Sequence, residues 1–511
     1  MKTNEIKECV MRTLSSTGST WLTAKETKKL CNDFKITAQD LKNNHEFAYY
    51  DAKGMVTAAE IAKEEKEIAV NLMELLMNHT PQQVPESVIR SLVEKFEVEE
   101  NNGYKLHYHQ VDAVIMVVNN SLSILTGGPG TGKTTVLRAI AYVLRAVCKG
   151  ITIAYIAPTG KASKRITEST GEYACTGHKK VGLGCGGQLK PVEERVLFSD
   201  ESSMNDIWLT SAISKCLQGN RRFVVVGDVD QLPSVGLGAV LRDMIRSNVI
   251  PKTMLTHTFR QDNSSVLFKN ICKVREGKDD LVQGNDFEPV LLPDGDVADI
   301  CVKKILEAFM QGVKDYGLDQ TVVLLPYRRS GVCSNLLNKE IQKIVNPKGE
   351  SCEYTDSDGN TTIFRVNDPV MQLENRPECV NGDVGTVIEA TDKSVTVEYA
   401  DGIVCYRYRE LEQLTLAYAM SIHKSQGSEY KCVVMALLDS HKAMLQRNLI
   451  YTGITRAKTK CIVFYQKKAL RQAVTTIAED SRTTLLAEML ITLHTRYVIR
   501  RYSESMSQKS M

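Results

Sequence analysis

The sequence predicts an α/β protein with two parallel-sheet units, a helical amino-terminal domain and a small antiparallel insertion in the second unit. From about residue 106 onwards, short β-branched runs alternate with helical stretches. Such alternation produces a parallel sheet with helices on both faces. A chain of 511 residues has room for three or four folding units at roughly 150 residues per domain. The candidate strands are Leu122–Thr126, Ile151–Ala157, Arg195–Ser199, Arg222–Gly227, Thr321–Leu325, Lys431–Leu438 and Lys460–Tyr465.

Composition is that of an ordinary soluble globular protein. Apolar residues make up 43% and charged residues 24% of the sequence, which excludes a disordered or collagen-like chain. No apolar stretch reaches the length of about eighteen residues that a transmembrane helix needs, so we expect no membrane partner. The amino terminus lacks the apolar core of a signal peptide, and the fourteen cysteines include no C-x-x-C pair. We therefore expect reduced thiols in a cytoplasmic protein, without zinc ribbons or iron–sulfur clusters.

The first 104 residues are predicted to form a helical, winged-helix-like domain. Ile6, Val10 and Leu14 recur every four residues, which is typical of one buried helix face. A longer stretch repeats that period with Ile61, Ile68, Leu72, Leu75 and Leu76. Between the two helices, Glu46–Val56 indicates two short strands around a turn. Such a module can contact DNA or serve only for packing, and the sequence leaves both roles open.

Residues 344–412 interrupt the strand–helix alternation and predict a small β-barrel insertion in the second unit. Within them, Val395–Tyr399 and Ile403–Tyr408 have the pattern of strands. Asp401-Gly402 lies between these two runs, and a D-G pair in that place is a strong hairpin signal.

The strongest motif is Gly127-Gly128-Pro129-Gly130-Thr131-Gly132-Lys133-Thr134, which lies between an apolar strand and an apolar helical stretch. This is the context of a P-loop, in which glycines let backbone N–H groups curl around phosphates and the helix N-terminus adds positive potential. Lys133 is expected to reach the β- and γ-phosphates, and Thr134 to offer its hydroxyl to Mg²⁺. We expect the binding segment to run on to Thr135.

Two later strands end in polar residues that would face the same nucleotide. Asp200 and Glu201 follow the strand Arg195–Ser199. An acidic residue at the carboxyl end of a parallel strand lies beside the P-loop, so Asp200 is expected to hold Mg²⁺. Glu201 is then placed to orient and deprotonate the attacking water. After the next strand, Gln231 is the candidate for contacting the γ-phosphate and sensing its loss.

Six motifs follow one another in a fixed order. They are the P-loop, Asp200-Glu201-Ser202-Ser203-Met204, the segment Gly227–Gly236, Phe259-Arg260-Gln261, Ser421–Glu429 and Tyr451–Lys458. This series resembles the superfamily 1 helicases, and most closely their RecD-like branch, which includes the relatives of the RecD subunit and the conjugative helicases. The resemblance covers about residues 104–480 and includes Ala157–Ala162 and Asn381–Gly385.

The resemblance implies two RecA-like P-loop NTPase domains. The first would cover residues 105–262, and the second would cover 263–343 and 413–511. The first would carry a short hairpin insertion near residues 180–195, where the family inserts a strand-separating pin. Three glycines within Gly182–Gly186 disfavour a rigid pin at this place.

The resemblance also implies roles for individual residues around ATP. Gln110 would recognise adenine, and Glu429 would link the fifth motif to the nucleotide. Arg260 and Arg456 would reach the γ-phosphate from opposite sides of the cleft. Because Arg456 belongs to the second unit, hydrolysis would require the two units to close on ATP. The expected catalytic set is Lys133, Glu201, Gln231, Arg260 and Arg456.

Four residues resemble the positions where the family contacts DNA phosphates. They are Thr159 and Lys161 after the second strand, and His423 and Ser425 in the fifth motif. Hydroxyls and backbone amides hold a strand without reading its sequence, which suits a protein that moves along DNA. Each of these side chains could instead serve only as a local cap.

The expected function is that of an ATP-dependent DNA helicase which moves 5′-to-3′ on single-stranded DNA and unwinds duplexes in replication, recombination or repair. Two alternatives stay open. One is a translocase that strips proteins or remodels forks with little unwinding, and the other is a nucleotide-gated subunit of a recombination complex. We expect a monomer that uses ATP and Mg²⁺ and acts on single-stranded and tailed duplex DNA. Single-strand-binding or recombination proteins are candidate partners, in a bacterial cytoplasm or, for a phage-encoded chain, that of the host.

Overall fold

The computed structural model describes residues 2–78, 81–183, 188–217, 219–257, 265–328, 331–357, 359–376, 378–399, 402–477 and 482–509. Within them the predicted α/β class is confirmed, with two parallel sheets and a separate antiparallel sheet. No helix in these ranges is both long enough and apolar enough to cross a membrane.

The amino-terminal module contains helices and one strand pair, as predicted. Its elements are α1 (Lys2–Thr17), α2 (Ala24–Phe34), α3 (Ala38–Lys42), β1 (Phe47–Tyr50), β2 (Met55–Ala58) and α4 (Ala59–Asn78). β1 and β2 pair antiparallel, which confirms a pair of short strands, although β2 runs to Ala58, beyond the predicted segment Glu46–Val56. Ile6, Val10 and Leu14 are buried on one face of α1, as their spacing predicts.

The first unit is a six-stranded sheet in which every pairing is parallel. Its strand order is β5-β4-β6-β7-β3-β8. The elements are α5 (Glu86–Glu99), α6 (Tyr108–Asn119), β3 (Leu122–Gly127), α7 (Lys133–Val147), β4 (Ile153–Ala157), α8 (Gly160–Thr170), β5 (Ala174–Thr176), α9 (Gly177–Val181), β6 (Val196–Ser199), α10 (Ile207–Cys216), β7 (Arg222–Gly227), α11 (Val240–Ser247) and β8 (Lys252–Leu255). The sequence places α5 in the amino-terminal domain, but its residues Ile89, Val93 and Phe96 are buried in the core of the first unit. All residues of β3 and β7 are buried, which is why these strands are continuous apolar runs.

The second unit is a five-stranded parallel sheet that is interrupted by the antiparallel insertion. Its elements begin with α12 (Val266–Arg275), β9 (Phe287–Leu291), α13 (Ala298–Tyr316), β10 (Thr321–Leu325) and α14 (Ser334–Val345). After the insertion come β18 (Ala419–Ser421), β19 (Tyr430–Leu437), α15 (Arg447–Ile454), β20 (Ala457–Tyr465) and α16 (Lys467–Thr475). The strand order is β18-β10-β19-β20-β9.

The insertion holds the predicted hairpin. Its strands are β11 (Ser351–Thr355), β12 (Thr361–Arg365), β13 (Pro369–Gln372), β14 (Val384–Thr391), β15 (Ser394–Tyr399), β16 (Gly402–Arg407) and β17 (Leu414–Leu416). β11 pairs with β12, and the other five form an antiparallel sheet in the order β16-β15-β14-β13-β17. Tyr399 pairs with Gly402, so β15 and β16 form a hairpin at the D-G position.

The predicted pin near residues 180–195 is not a strand pair in the residues described there, which are 180–183 and 188–195. Instead, the chain turns after α9, and the Lys190 N–H donates to Val181 O at 3.0 Å. Leu183 and Leu189 pack against the apolar core, which holds the segment down on the first unit. Residues 184–187, which carry three of the glycines, lie outside the described ranges.

The main contacts of the last helix, α17 (Leu486–Lys509), lie outside the second unit, to which residues 413–511 are predicted to belong. It contacts α4 of the amino-terminal module and α11 of the first unit. Leu486 and Leu490 are buried in the core that these elements share. The apolar positions of α17 predict a buried face, but they do not specify which surface covers it.

Candidate functional site

The P-loop connects the end of β3 to the start of α7 by a tight turn. Gly130 and Gly132 have φ angles of +74° and +78°, a backbone conformation that glycine adopts without strain. Lys133 Nζ donates to Gly127 O at 2.6 Å and to Gly128 O at 3.1 Å. The ammonium group is therefore held over the loop at the N-terminus of α7, where the helix dipole favours an anion.

A cavity of about 220 Å³ opens over this loop and is lined by residues of both parallel-sheet units. From the first unit come Gly128, Pro129, Gly130, Thr131, Gly132, Lys133, Thr134, Thr135, Ala162, Arg165, Ile166, Ser169, Asp200, Glu201 and Gln231. The second unit contributes Gly427, Glu429 and Arg456. Most of the expected nucleotide-site residues thus share one cavity, and Lys133 and Arg456 face it from opposite units.

Asp200 and Glu201 stand at the carboxyl end of β6, beside the P-loop. Burial and the adjacent Glu201 raise the pKa of Asp200 to about 6, while the Lys133 charge opposes the rise. Glu201 has φ 51°, in the left-handed region that non-glycine residues seldom adopt. Its backbone N–H donates to Asp200 Oδ1 at 2.8 Å. Strained backbone of this kind is concentrated at functional sites, which favours a functional placement of the Glu201 side chain.

Thr134 and Asp200 offer the cavity a hydroxyl and a carboxylate, the hard oxygen ligands that Mg²⁺ prefers. No group of three or more His, Cys, Asp or Glu side chains is arranged for a metal within the described ranges. Mg²⁺ in nucleotide sites usually has only one or two protein ligands and completes its shell with water and phosphate. The donor set therefore fits Mg²⁺ bound together with a nucleotide.

Arg456 reaches from the second unit to Gln231 of the first. Its Nη2 donates to Gln231 Oε1 at 3.1 Å, and its Nε and Nη1 donate to Thr452 O at 3.1 Å and Ser428 O at 3.2 Å. The Arg456 side chain is almost fully buried, and this burial lowers its pKa, although the negative charges of Glu201 and Glu429 oppose the shift. These bonds fix the guanidinium at the cavity wall.

The loop after β7 is bonded directly to α15 and to the fifth motif. The Leu232 N–H donates to Thr452 Oγ1 at 2.8 Å, and Leu232 O accepts from Gln426 Nε2 at 3.0 Å. Tyr451 OH donates to Asp228 Oδ2 at 3.1 Å. Sequence reasoning assigned no role to these side chains, although Gln426, Tyr451 and Thr452 lie inside the motifs that it identified. Their bonds make Gln231 part of a continuous polar contact between the two units.

Arg165 is a pocket residue that sequence reasoning missed. Its Nη2 lies 2.7 Å from Glu429 Oε1, while Glu429 Oε2 lies 3.2 Å from Lys458 Nζ. The signal that could have found it is the spacing on α8, because Arg165 follows Lys161 by four residues and so shares its helix face.

Gln110 lies behind the P-loop and does not line the cavity. It is buried, its Nε2 donates to Thr131 O at 3.1 Å, and its Oε1 accepts from the His107 N–H at 3.0 Å. The structure therefore gives Gln110 a contact with the loop itself. Arg260, the other expected γ-phosphate arginine, lies outside the described residues, as does the whole Phe259-Arg260-Gln261 motif.

Of the four expected DNA contacts, Thr159 and Ser425 have local hydrogen-bond partners. Thr159 Oγ1 caps α8 by accepting from the Ala162 N–H at 3.3 Å. Ser425 is fully buried, and its hydroxyl donates to Ile422 O at 2.7 Å. In this conformation the Ser425 hydroxyl faces the protein interior, where a DNA phosphate does not reach it.

Lys161 and His423 are both half-buried. Lys161 Nζ lies 3.4 Å from Tyr430 OH and 5.2 Å from the centre of that ring. Burial lowers the pKa of His423, so its imidazole is neutral near pH 7. Lys161 therefore lies at the boundary of the two units, where the family likeness expects the DNA strand.

The insertion contacts this same boundary through the segment 380–383. A Cβ at Gly160 would lie 2.2 Å from Val380 Cγ2, so only glycine fits at the start of α8. Asn381 Oδ1 accepts from Lys424 Nζ at 2.6 Å, and Lys164 Nζ lies 3.9 Å from Asp383 Oδ2. The Asn381–Gly385 motif of the resemblance thus lies against both units.

Comparison with known families and proteins agrees with this arrangement. Residues 110–237 match the AAA domain family, residues 416–464 the UvrD-like helicase C-terminal domain, and residues 337–399 the SH3 domain of ATP-dependent RecD-like DNA helicases. The ATP-dependent RecD2 DNA helicase of Deinococcus radiodurans is 30% identical over 393 residues, which are 75% of this chain and 52% of that protein. The RecBCD enzyme subunit RecD of Mycobacterium tuberculosis is 27% identical over 463 residues, covering 81% of this chain and 76% of the subunit. The chain therefore spans about half the length of the Deinococcus relative.

Solved structures give a weaker likeness. A Bacteroides Pif1 bound to single-stranded DNA aligns with a TM-score of 0.46 at 18% identity, over 79% of this chain and 98% of its own. The Pif1 helicase of Candida albicans aligns with a TM-score of 0.44 at 19% identity, over 77% of this chain and all of its own.

Proposed function

Because the chain belongs to the RecD-like branch of the superfamily 1 helicases, we propose that it is an ATP-dependent DNA helicase. The observation that carries the proposal is the cavity that Lys133 of the first unit and Arg456 of the second both line. Hydrolysis at such a site depends on how the two units sit together. A strand held across both units is then gripped differently as the nucleotide is bound, hydrolysed and released.

The proposed roles follow the donors and acceptors around the cavity. Residues 127–135 hold the ATP phosphates, and Lys133 neutralises charge on the β- and γ-phosphates. Glu201 orients and deprotonates the attacking water, and Gln231 senses the γ-phosphate together with Arg456. Arg260 is the second γ-phosphate arginine of the proposed site, and Glu429 links the fifth motif to this site through its 2.7 Å ion pair with Arg165. Thr134 and Asp200 would hold Mg²⁺, which when bound neutralises charge developing on the phosphates.

DNA is proposed to lie across both units, along Thr159, Lys161 and His423 and under the segment 380–383. Ser425 would act from behind this surface by holding the fifth motif in place. We propose 5′-to-3′ movement from the family resemblance, on single-stranded and tailed duplex DNA in recombination, repair or replication. Recombination or single-strand-binding proteins are the proposed partners.

A second candidate is a DNA-stimulated translocase that unwinds little without a partner. It is favoured by one observation, which is that Leu183 and Leu189, within the segment expected to form a pin, pack against the apolar core. A translocase that lacks a strand-separating pin would still hydrolyse ATP and move along DNA. It would need another protein to separate the two DNA strands.

The purified chain can be tested on three labelled duplexes, with a 5′ tail, a 3′ tail or blunt ends. Helicase activity predicts ATP-dependent displacement from the 5′-tailed duplex, with Lys133→Ala as the inactive control. DNA-stimulated ATP hydrolysis without displacement would support the translocase instead. Displacement from the 3′-tailed duplex alone would overturn the proposed polarity, and no hydrolysis with any DNA would overturn both functions.

A further inference from the structure

Helix α8 contacts the second unit through two cations on one face. Lys161 and Arg165 are four residues apart, so both side chains project on the same side of the helix. Lys161 meets Tyr430 through its hydroxyl and ring, and Arg165 forms its 2.7 Å ion pair with Glu429. Glu429 and Tyr430 are consecutive residues, and β19 begins at Tyr430, so these contacts form a single seam between the two units.

Arg165 also lines the cavity that holds the P-loop lysine and the acidic pair. Burial raises the pKa of Asp200, and Lys133 and Arg165 are among the charges that oppose this rise. The Arg165 guanidinium is thus close enough to act on a group at the expected phosphate end of the cavity. Its side chain is 43% exposed, which leaves it room to change rotamer.

Glu429 has a second cation available. Its side chain is only 9% exposed, so losing every partner would leave a buried charge uncompensated. Lys458 Nζ lies 3.2 Å from its other oxygen, however, and does not depend on Arg165. Arg165 can therefore leave Glu429 without leaving that carboxylate unpaired.

We propose that Arg165 is a partner-switching arginine which pairs with Glu429 or with the phosphates of the bound nucleotide, but not with both. The inference rests on the proposed nucleotide site. A guanidinium forms bidentate bonds with phosphate, and the polyphosphate carries more negative charge than one carboxylate. Nucleotide binding then breaks the Arg165–Glu429 contact of the seam, and α8 is drawn towards the phosphates.

The switch links the nucleotide to the proposed DNA surface, because Thr159 caps α8 and Lys161 lies in its first turn. A DNA phosphate that attracts Lys161 away from Tyr430 weakens the other contact of the same seam. Since coupling between two ligands is reciprocal, DNA should tighten nucleotide binding by the factor by which nucleotide tightens DNA binding. Arg165 is a positioning residue for this coupling as well as a ligand of the phosphates.

The test measures the dissociation constant of fluorescently labelled ATPγS with and without a thymidine oligonucleotide. Arg165→Ala should weaken ATPγS binding about 10- to 100-fold, the worth of a charge-assisted hydrogen bond, and should abolish the effect of the oligonucleotide. Glu429→Gln should tighten binding severalfold, because it removes the competitor for Arg165. The ATPγS affinity of Arg165→Lys should lie between those of the wild type and the alanine variant, because lysine keeps the positive charge but lacks the forked geometry of the guanidinium.

Weaker ATPγS binding in Arg165→Ala together with tighter binding in Glu429→Gln distinguishes the switch from a merely structural ion pair. For a structural ion pair, removing either partner would weaken ATPγS binding. Arg145→Ala is the matched control. Arg145 lies on α7, forms an ion pair of 2.6 Å with Glu172 and does not line the cavity. An unchanged dissociation constant in both Arg165 variants would overturn the proposal, and so would weaker binding in Glu429→Gln. Binding is measured without hydrolysis or unwinding, so a chain that binds ATPγS as predicted but displaces no strand would refute only the helicase function.

Discussion

Replacing Arg456 with lysine probes the contact on which the proposed motor depends. The arginine makes hydrogen bonds in several directions, to Thr452 O, Ser428 O and Gln231 Oε1. A lysine keeps the positive charge but has all its donors on one atom, so it cannot reach acceptors on different sides. Alanine is less suitable, because each buried acceptor left without a donor costs about 1–3 kcal/mol of stability.

The expected loss can be worked from this geometry. An arginine that stabilises a phosphoryl-transfer transition state supplies about 10³–10⁵ in kcat, or about 4–7 kcal/mol at about 1.4 kcal/mol per tenfold. Lysine keeps part of the electrostatic stabilisation but loses the forked hydrogen-bond geometry of the guanidinium. We therefore expect Arg456→Lys to lower kcat about 10²- to 10³-fold. Binding of ATP should change far less, because Lys133 and the P-loop are untouched.

The assay is steady-state ATP hydrolysis at saturating ATP and single-stranded DNA, with binding of labelled ATPγS and DNA measured separately. Arg471→Lys, an exposed arginine on α16 of the same unit, is the matched control. The reasoning is refuted if Arg456→Lys keeps kcat within about tenfold of wild type. Equal loss of nucleotide binding, DNA binding and thermal stability would instead identify Arg456 as a structural residue.

Three other predictions concern the acidic groups and the DNA surface. Glu201→Gln should lower kcat about 10²-fold or more while ATPγS still binds, and unchanged turnover would remove Glu201 as the general base. Burial raises the pKa of Glu65 from 4.5 to about 7 despite bonds from Trp21, Thr20 and Leu485, so the folded state binds its proton more tightly. The free energy of unfolding of the wild type, measured relative to that of Glu65→Gln, should therefore fall by about 3 kcal/mol as the pH rises from 4.5 to 7 and should not change further above pH 7. A difference between the two proteins that does not depend on pH in denaturant titrations would contradict this. DNA affinity should fall steeply with salt because phosphate contacts release counterions, and a flat dependence would contradict backbone binding.

The elements that line the candidate nucleotide site could be predicted from the sequence because their signals are local. The glycines of the P-loop, the apolar strand before it and the amphipathic helix after it occur within a single short segment. Asp200 and Gln231 could be assigned to the same edge because parallel strands bring their carboxyl ends together. The D-G hairpin was predicted correctly for the same reason, since two residues and their flanking alternation specify the turn.

The errors concern contacts between distant segments. The strand pair expected near residues 180–195 is replaced, in the described part, by a turn whose leucines pack on the core. The last helix was assigned to the second unit, yet Leu486 and Leu490 are buried against the amino-terminal module and the first unit. A hydrophobic helix face in the sequence predicts that this face will be buried. It does not specify the surface that buries it, because one chain contains many apolar surfaces.

By itself, the sequence determined the fold class, the P-loop and the order of the motifs, because backbone conformation and strand–helix alternation depend on neighbouring residues. Only the tertiary structure decided that Arg165 faces Glu429, that Tyr451 and Thr452 bond to the loop after β7, and that α17 returns to the first unit. These pairs are separated by some 220 to 270 residues in the chain, and no local pattern determines which polar group meets which. Their partners follow from how the two sheets and the amino-terminal module pack, since a buried polar side chain is tolerated only where packing supplies its hydrogen-bond partner.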